Sequence, residues 1–152
     1  MRWTGRFLIV LTLFSLGCAP GDWTTKTLTL VDVTGTWEGP FRFIFAGGPQ
    51  NEKTMMIRFV LQQNGPKVRG QVLATDGTSM GSIEGLVNGE VFNWHSTGQF
   101  IGLRPTGQPT LFRGEATVKS DEMGGRADGN VCPCTFALRR MSPQAIGEKK
   151  LQ

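Results

Sequence analysis

The chain contains no tyrosine, one histidine and three cysteines, and only 18% of its 152 residues are charged. So little charge argues against long solvent-exposed helices and coiled coils. One histidine and one close cysteine pair leave a closed zinc site short of ligands, so no metal is expected. The formal charge of +4 is not gathered into a Lys/Arg patch interleaved with aromatics, which excludes the electrostatic footprint of a nucleic-acid binder. No apolar run approaches the roughly 20 residues of a membrane-spanning helix. No glycine opens a helix in a GxGxxG or P-loop pattern, so no nucleotide cofactor is expected.

What is abundant is glycine, 21 residues, about twice its usual share, set among short runs of Val, Ile, Phe and Trp. Such runs carry the apolar surface that disordered chains lack. The most informative stretch is Thr34 to Phe45, TGTWEGPFRFIF. Trp37, Gly39, Phe41, Phe43 and Phe45 alternate with Glu38, Pro40 and Arg42, the period of a half-buried strand, and only Ile44 breaks it. Aromatics massed on one face need an interior to cover them.

Downstream the alternation recurs. Met55, Ile57, Phe59 and Leu61 share one face of a second strand, which Asn64-Gly65-Pro66 ends as a hairpin. A pattern of apolar, any, Gly, any, apolar then centres on Gly70, Gly85, Gly114 and Gly125, and Trp37-Glu38-Gly39-Pro40-Phe41 fits it too. A mid-strand glycine weakens a flat sheet but lets a small one bend sharply enough to close. A fifth strand follows Asn88-Gly89 across Glu90 to Gly98. Its facing is open: either Phe92 and Trp94 point inward, or Asn93 and His95 do. The longest connection is Gln99 to Pro109, expected as a rim loop. Strands over Thr110 to Lys119, after the Asp121-Glu122 turn, and over Thr135 to Met141 complete the series. Eight strands joined mostly by short turns predict an all-β, antiparallel up-and-down barrel.

The amino terminus carries an address. Arg2 and Arg6 precede an apolar run from Phe7 to Leu16, broken by Thr12 and Ser15, the layout of a signal peptide. Its end, Leu13-Phe14-Ser15-Leu16-Gly17-Cys18, resembles the lipobox of bacterial lipoproteins. That resemblance implies cleavage after Gly17 and lipidation of Cys18, with several acyl chains giving a stable membrane anchor. Ala19 after the cysteine is compatible with the outer membrane of a two-membrane bacterium, the protein facing the periplasm. The expected organisation is a signal peptide over 1–17, a lipidated linker over 18–33, a barrel over 34–141 and a polar tail over 142–152. Within the linker, Thr27-Leu28-Thr29-Leu30 alternates like a short strand. With the leader removed, 14 basic residues face 12 acidic ones.

Gly35-Thr36-Trp37 in the first strand, with Arg139 or Arg140 at the end of the eighth, resembles the signature of lipocalins, fatty-acid-binding proteins and avidins. In those families the arginine packs across the tryptophan and plugs one end of the barrel, and Arg139 is the expected partner of Trp37. The resemblance covers Thr34 to Met141 and carries over no ligand-contacting residue. Avidin-type binding uses tyrosine, so biotin is not implied.

Cys132-Pro133-Cys134 lies between the last two strands. Outside the cytoplasm such a pair forms a disulfide, stays as inert thiols, or holds a soft metal such as Cu(I). His95 with Ser96 suggests a general base and nucleophile, but adjacent strand residues face opposite ways, and no nucleophile elbow is present. The chain is therefore not expected to be an enzyme. An eight-stranded barrel either fills with side chains or holds one small ligand. The expectation is a small apolar or amphipathic ligand among Phe43, Phe59 and Trp94, with Asn93 and the Gln99 to Pro109 loop at the mouth. The alternative is a filled barrel acting through its surface as an interaction or inhibitor protein of the cell envelope.

Overall fold

In the computed structural model, residues 29–47, 49–100 and 108–142 are described. The leader, Cys18, most of the linker and rim loop, and nearly all of the tail lie outside them. The chain forms eight antiparallel strands, β1 (Gly35–Ile44), β2 (Glu52–Asn64), β3 (Lys67–Ala74), β4 (Ser79–Asn88), β5 (Val91–Gly98), β6 (Thr110–Lys119), β7 (Glu122–Gly129) and β8 (Cys134–Arg140). Each pairs with the next, and β8 returns to β1, so the sheet is a closed up-and-down barrel. Closure removes every free edge that an open sheet would have to protect. A short 3₁₀ turn, Pro49–Asn51, precedes β2. Thr29 to Thr34 is irregular rather than a strand, although Leu30 and Val31 pack against the core.

The alternation read from the sequence is the inward face. Trp37, Phe41 and Phe43 of β1 and Ile57, Phe59 and Leu61 of β2 are all buried. Phe45 lies just past β1 and is only half-buried. On β5 the apolar parity wins: Phe92 and Trp94 are buried while Asn93 and His95 are exposed. Asn93 therefore points out of the barrel, beside Leu86 and Glu115 in the ladder. The other choice would put two polar side chains in a hydrophobic interior and two aromatic rings in water.

The tight hairpins use glycine where the backbone requires it. Gly65 at φ 58° and Gly89 at φ 60° start the turns after β2 and β4, a conformation that costs glycine little. The mid-strand glycines have another role. A Cβ on Gly125 would collide with the Glu115 carbonyl oxygen and lie 2.8 Å from Ala116 Cα on β6. The strands coil so closely there that only a hydrogen fits, which is how a small sheet curves far enough to close.

One end of the barrel is sealed. Val33 is fully buried, and its carbonyl accepts a hydrogen bond from Trp37 Nε1 at 2.8 Å. The Arg140 guanidinium lies 4.3 Å above the Trp37 ring and donates to the carbonyls of Thr34 and, at 2.6 Å, Asp32. Arg140 Nε lies 3.2 Å from Asp121 Oδ1 as an ion pair outside hydrogen-bond geometry. The stacking partner is thus Arg140 and not Arg139. Phe136 and Leu138 set the inward parity of β8, which Arg140 shares, whereas Arg139 points to solvent and pairs with Glu122 at 3.1 Å.

Candidate functional site

Aromatic rings cluster in the interior. Phe41 stacks on Phe136 at 4.7 Å, and Phe59 meets Trp94 edge-on at 5.5 Å. Phe43 tilts against Phe112 at 5.8 Å, and Phe100, just beyond β5, packs edge-on against Phe112 at 5.0 Å. Phe43, Phe59 and Trp94 thus belong to one buried cluster. Glycines make room for the larger rings: a Cβ on Gly114 would lie 2.5 Å from Trp94 Cε2 and 2.9 Å from the Ala127 methyl group. Trp94 is therefore held flat against β6.

The polar content of this interior is small and concentrated. Among the described residues, Ser96 and Thr110 are the buried polar side chains, at 2% and 1% exposure, and no charged side chain is buried. Ser96 Oγ, Thr110 Oγ1 and Trp94 Nε1 are buried without a hydrogen-bond partner. The ladder spaces them along the β5–β6 seam, Trp94 level with Gly114 and Thr110 level with Gly98. Trp94 and Ser96 are successive inward positions on β5, opposite Gly114 and Phe112, and Thr110 is the inward residue of β6 next toward the strand's start. Buried polar groups are almost always paired, so three unpaired ones along one seam are an exception that requires an explanation.

Thr110 is held from both sides. Asn130 Oδ1 accepts from the Leu111 N–H at 3.0 Å, Asn130 Nδ2 donates to the Pro109 carbonyl at 3.3 Å, and the Asn130 N–H donates to the Leu111 carbonyl at 3.1 Å. The start of β6 is thereby fixed to the loop before β8. Parity alone marks Ser96 and Thr110 as inward, since they continue the faces of Trp94 and Phe112. The sequence offered Ser96 only as a nucleophile beside His95 and did not single out Thr110, because the aromatics dominate both faces.

The remaining sequence candidates fall elsewhere. His95 is exposed while Ser96 is buried, so the strand parts them. Cys132 and Cys134 are free, buried thiols and not a disulfide. Cys134 is locked into β8 opposite Ala127 and Phe43, and the Ile44 N–H donates to the Pro133 carbonyl between the two at 3.0 Å. Residues two apart on extended chain are separated by about 6.6 Å, near the upper limit a disulfide spans, so bridging would pull β8 out of register. Burial, then the neighbouring Cys132, pushes the Cys134 thiol up to about 12, and burial also raises Cys132. Neither is poised as a nucleophile. Among the described residues no three His, Cys, Asp or Glu side chains gather as a metal site.

On the outer wall, a groove of about 470 Å³ runs between β1, β7 and β8 around Pro40. Pairing of β1 with β8 lapses between Glu38↔Arg139 and Phe41↔Phe136, because proline has no N–H to give the ladder. Met56, 47% exposed, borders it. Compared with known proteins, the chain matches no family model and no curated sequence.

Proposed function

We propose that this chain is a lipid-anchored protein of the bacterial envelope, on the periplasmic face of the outer membrane, whose barrel binds a small apolar or amphipathic molecule. The observation that carries the binding reading is the trio of partnerless polar atoms on Trp94, Ser96 and Thr110 inside an otherwise apolar barrel. Such groups cost roughly 1–3 kcal/mol each while unpaired, and a bound molecule that pairs them removes that penalty. The arrangement is similar to lipocalins and avidins in having a tryptophan–arginine plug at one end, here Trp37 with Arg140. The anchor rests on the lipobox-like Leu16-Gly17-Cys18.

Each half has its own test. Cys18→Ser should release the protein from membranes; continued membrane association refutes the anchor. Titrating the released chain with hydrophobic small molecules should change the fluorescence of Trp94, and silence across an apolar panel refutes interior binding.

A second reading is a filled barrel that works through its surface, and the groove at Pro40 and Met56 favours it. In that case cross-linking in intact envelopes recovers a protein partner that Met56→Glu loses, while the interior binds nothing.

A further inference from the structure

We infer that the barrel lies against the bilayer through one edge of its sealed end, where Pro66, Lys67 and Leu86 meet a phospholipid surface. This rests on the reading that Cys18 carries a lipid, and it names the part of the fold that the anchor brings to the membrane. The tether reaches the barrel at a defined place. Residues 19–28 separate Cys18 from Thr29 and span at most about 36 Å when fully extended. The chain is then fastened: the Val31 N–H donates to the Gly89 carbonyl at 2.9 Å, Leu30 and Val31 pack against the core, and Val33 is fully buried. The anchor therefore meets the fold beside the β4–β5 hairpin.

An exposed apolar side chain stands next to that point. Among the described residues the large exposed apolar side chains are Met56, Leu86 and Leu111. Of these, Leu86 is the one near this hairpin, two residues before Asn88 at the end of β4, and it is 54% exposed. Its ladder neighbours are Lys67 on β3 and Asn93 on β5. The Val87 N–H donates to the Pro66 carbonyl at 2.8 Å, which draws the β2–β3 hairpin against the same edge and adds the exposed Pro66. The turn tips here, Gly65-Pro66 and Asn88-Gly89, carry no charge. Asp121 and Glu122 lie across the barrel, paired with Arg140 and Arg139 of β8. Lys67 and Glu90 offset one another, so apolar area carries the contact; the Lys67 stem extends it while its ammonium reaches headgroup phosphates. One leucine would hold a free protein to a bilayer only weakly. Tethering makes the encounter intramolecular, and a weak contact is then enough to fix orientation.

The test uses the lipidated full chain in vesicles of phosphatidylethanolamine and phosphatidylglycerol, floated first to establish attachment. Asn93→Cys places a thiol beside Leu86 and keeps the leucine, Leu111→Cys places one toward the opposite end of the barrel, and the native Cys132 and Cys134 are buried. A water-soluble maleimide should label Asn93→Cys about tenfold more slowly on vesicles than in the same chain released by Cys18→Ser, while Leu111→Cys changes less than about twofold. Adding Leu86→Glu should restore the fast rate at Asn93→Cys. Equal slowing at both positions, or none at Asn93→Cys, overturns the edge assignment and leaves the anchor standing. Slowing at Asn93→Cys in native envelopes but not on pure lipid assigns the edge to a protein partner and overturns it too. A chain that does not float refutes the anchor reading, and the inference with it.

Discussion

Gly124 and Gly125 are adjacent in β7, yet the structure predicts opposite outcomes when each becomes alanine. A methyl group on Gly125 would strike the Glu115 carbonyl and lie 2.8 Å from Ala116 Cα and 2.9 Å from Glu115 C. Carbon pairs prefer about 3.5–4.0 Å, and these neighbours are backbone atoms inside a paired ladder, so they cannot swing aside. The cost falls at the top of the overpacking range, about 3 kcal/mol. For a domain of this size that lowers Tm by about 15 °C. On Gly124 the nearest atom would be Phe136 O at an ordinary 3.7 Å, and its φ is not positive. Gly124→Ala instead restricts the unfolded chain and stabilises by about 0.4–1 kcal/mol. Thermal unfolding of the two variants, followed by circular dichroism, reads the difference. Equal shifts would refute the claim that close approach of strands, rather than glycine's flexibility, fixes these positions.

The two arginines at the end of β8 should also part company: Arg140→Ala loses two carbonyl hydrogen bonds and the Trp37 stack, costing about 3 kcal/mol, whereas Arg139→Ala breaks only an exposed pair, worth less than about 1 kcal/mol. Denaturant titration checks both. The Cys134 thiol ionises near 9.0 when unfolded but at about 12 in the fold, so the unfolded state loses its proton first and stability declines across that interval. Cys134→Ala should flatten that decline in alkaline melts, and iodoacetamide should label Cys134 only after unfolding. Asp32 accepts the Thr34 N–H at 2.8 Å, which with the Thr34 hydroxyl holds its carboxyl below 3.8. Its contribution is present above that value and lost as pH falls below it, so acid unfolding should begin at lower pH in Asp32→Asn relative to neutral stability.

The barrel was legible because its strands alternate and its turns carry Asn-Gly and Gly-Pro pairs. Trp37, Phe41 and Phe43 announce an inward face, and the recurring glycines announce curvature. Two features lay one step beyond. Facing on β5 is ambiguous in Val91 to Ser96 taken alone, since both parities hold bulky side chains; it is set by Gly114, which leaves space for the Trp94 ring. The choice between Arg139 and Arg140 was available from the parity of Phe136 and Leu138. The thiol state of Cys132 and Cys134 was not, because it depends on how the start of β8 is fixed by Ile44 and Phe43. The unpaired buried polar atoms needed three dimensions: which hydroxyls and N–H groups lack a partner depends on packing across β5 and β6, which parity does not give.

The most direct test of interior binding is native mass spectrometry of the Cys18→Ser protein recovered from a bacterial periplasm without detergent. Interior binding predicts an added mass that leaves on denaturation and is much reduced in the Ser96→Ala, Thr110→Val double variant. A bare protein mass, or an adduct indifferent to those two substitutions, would contradict it.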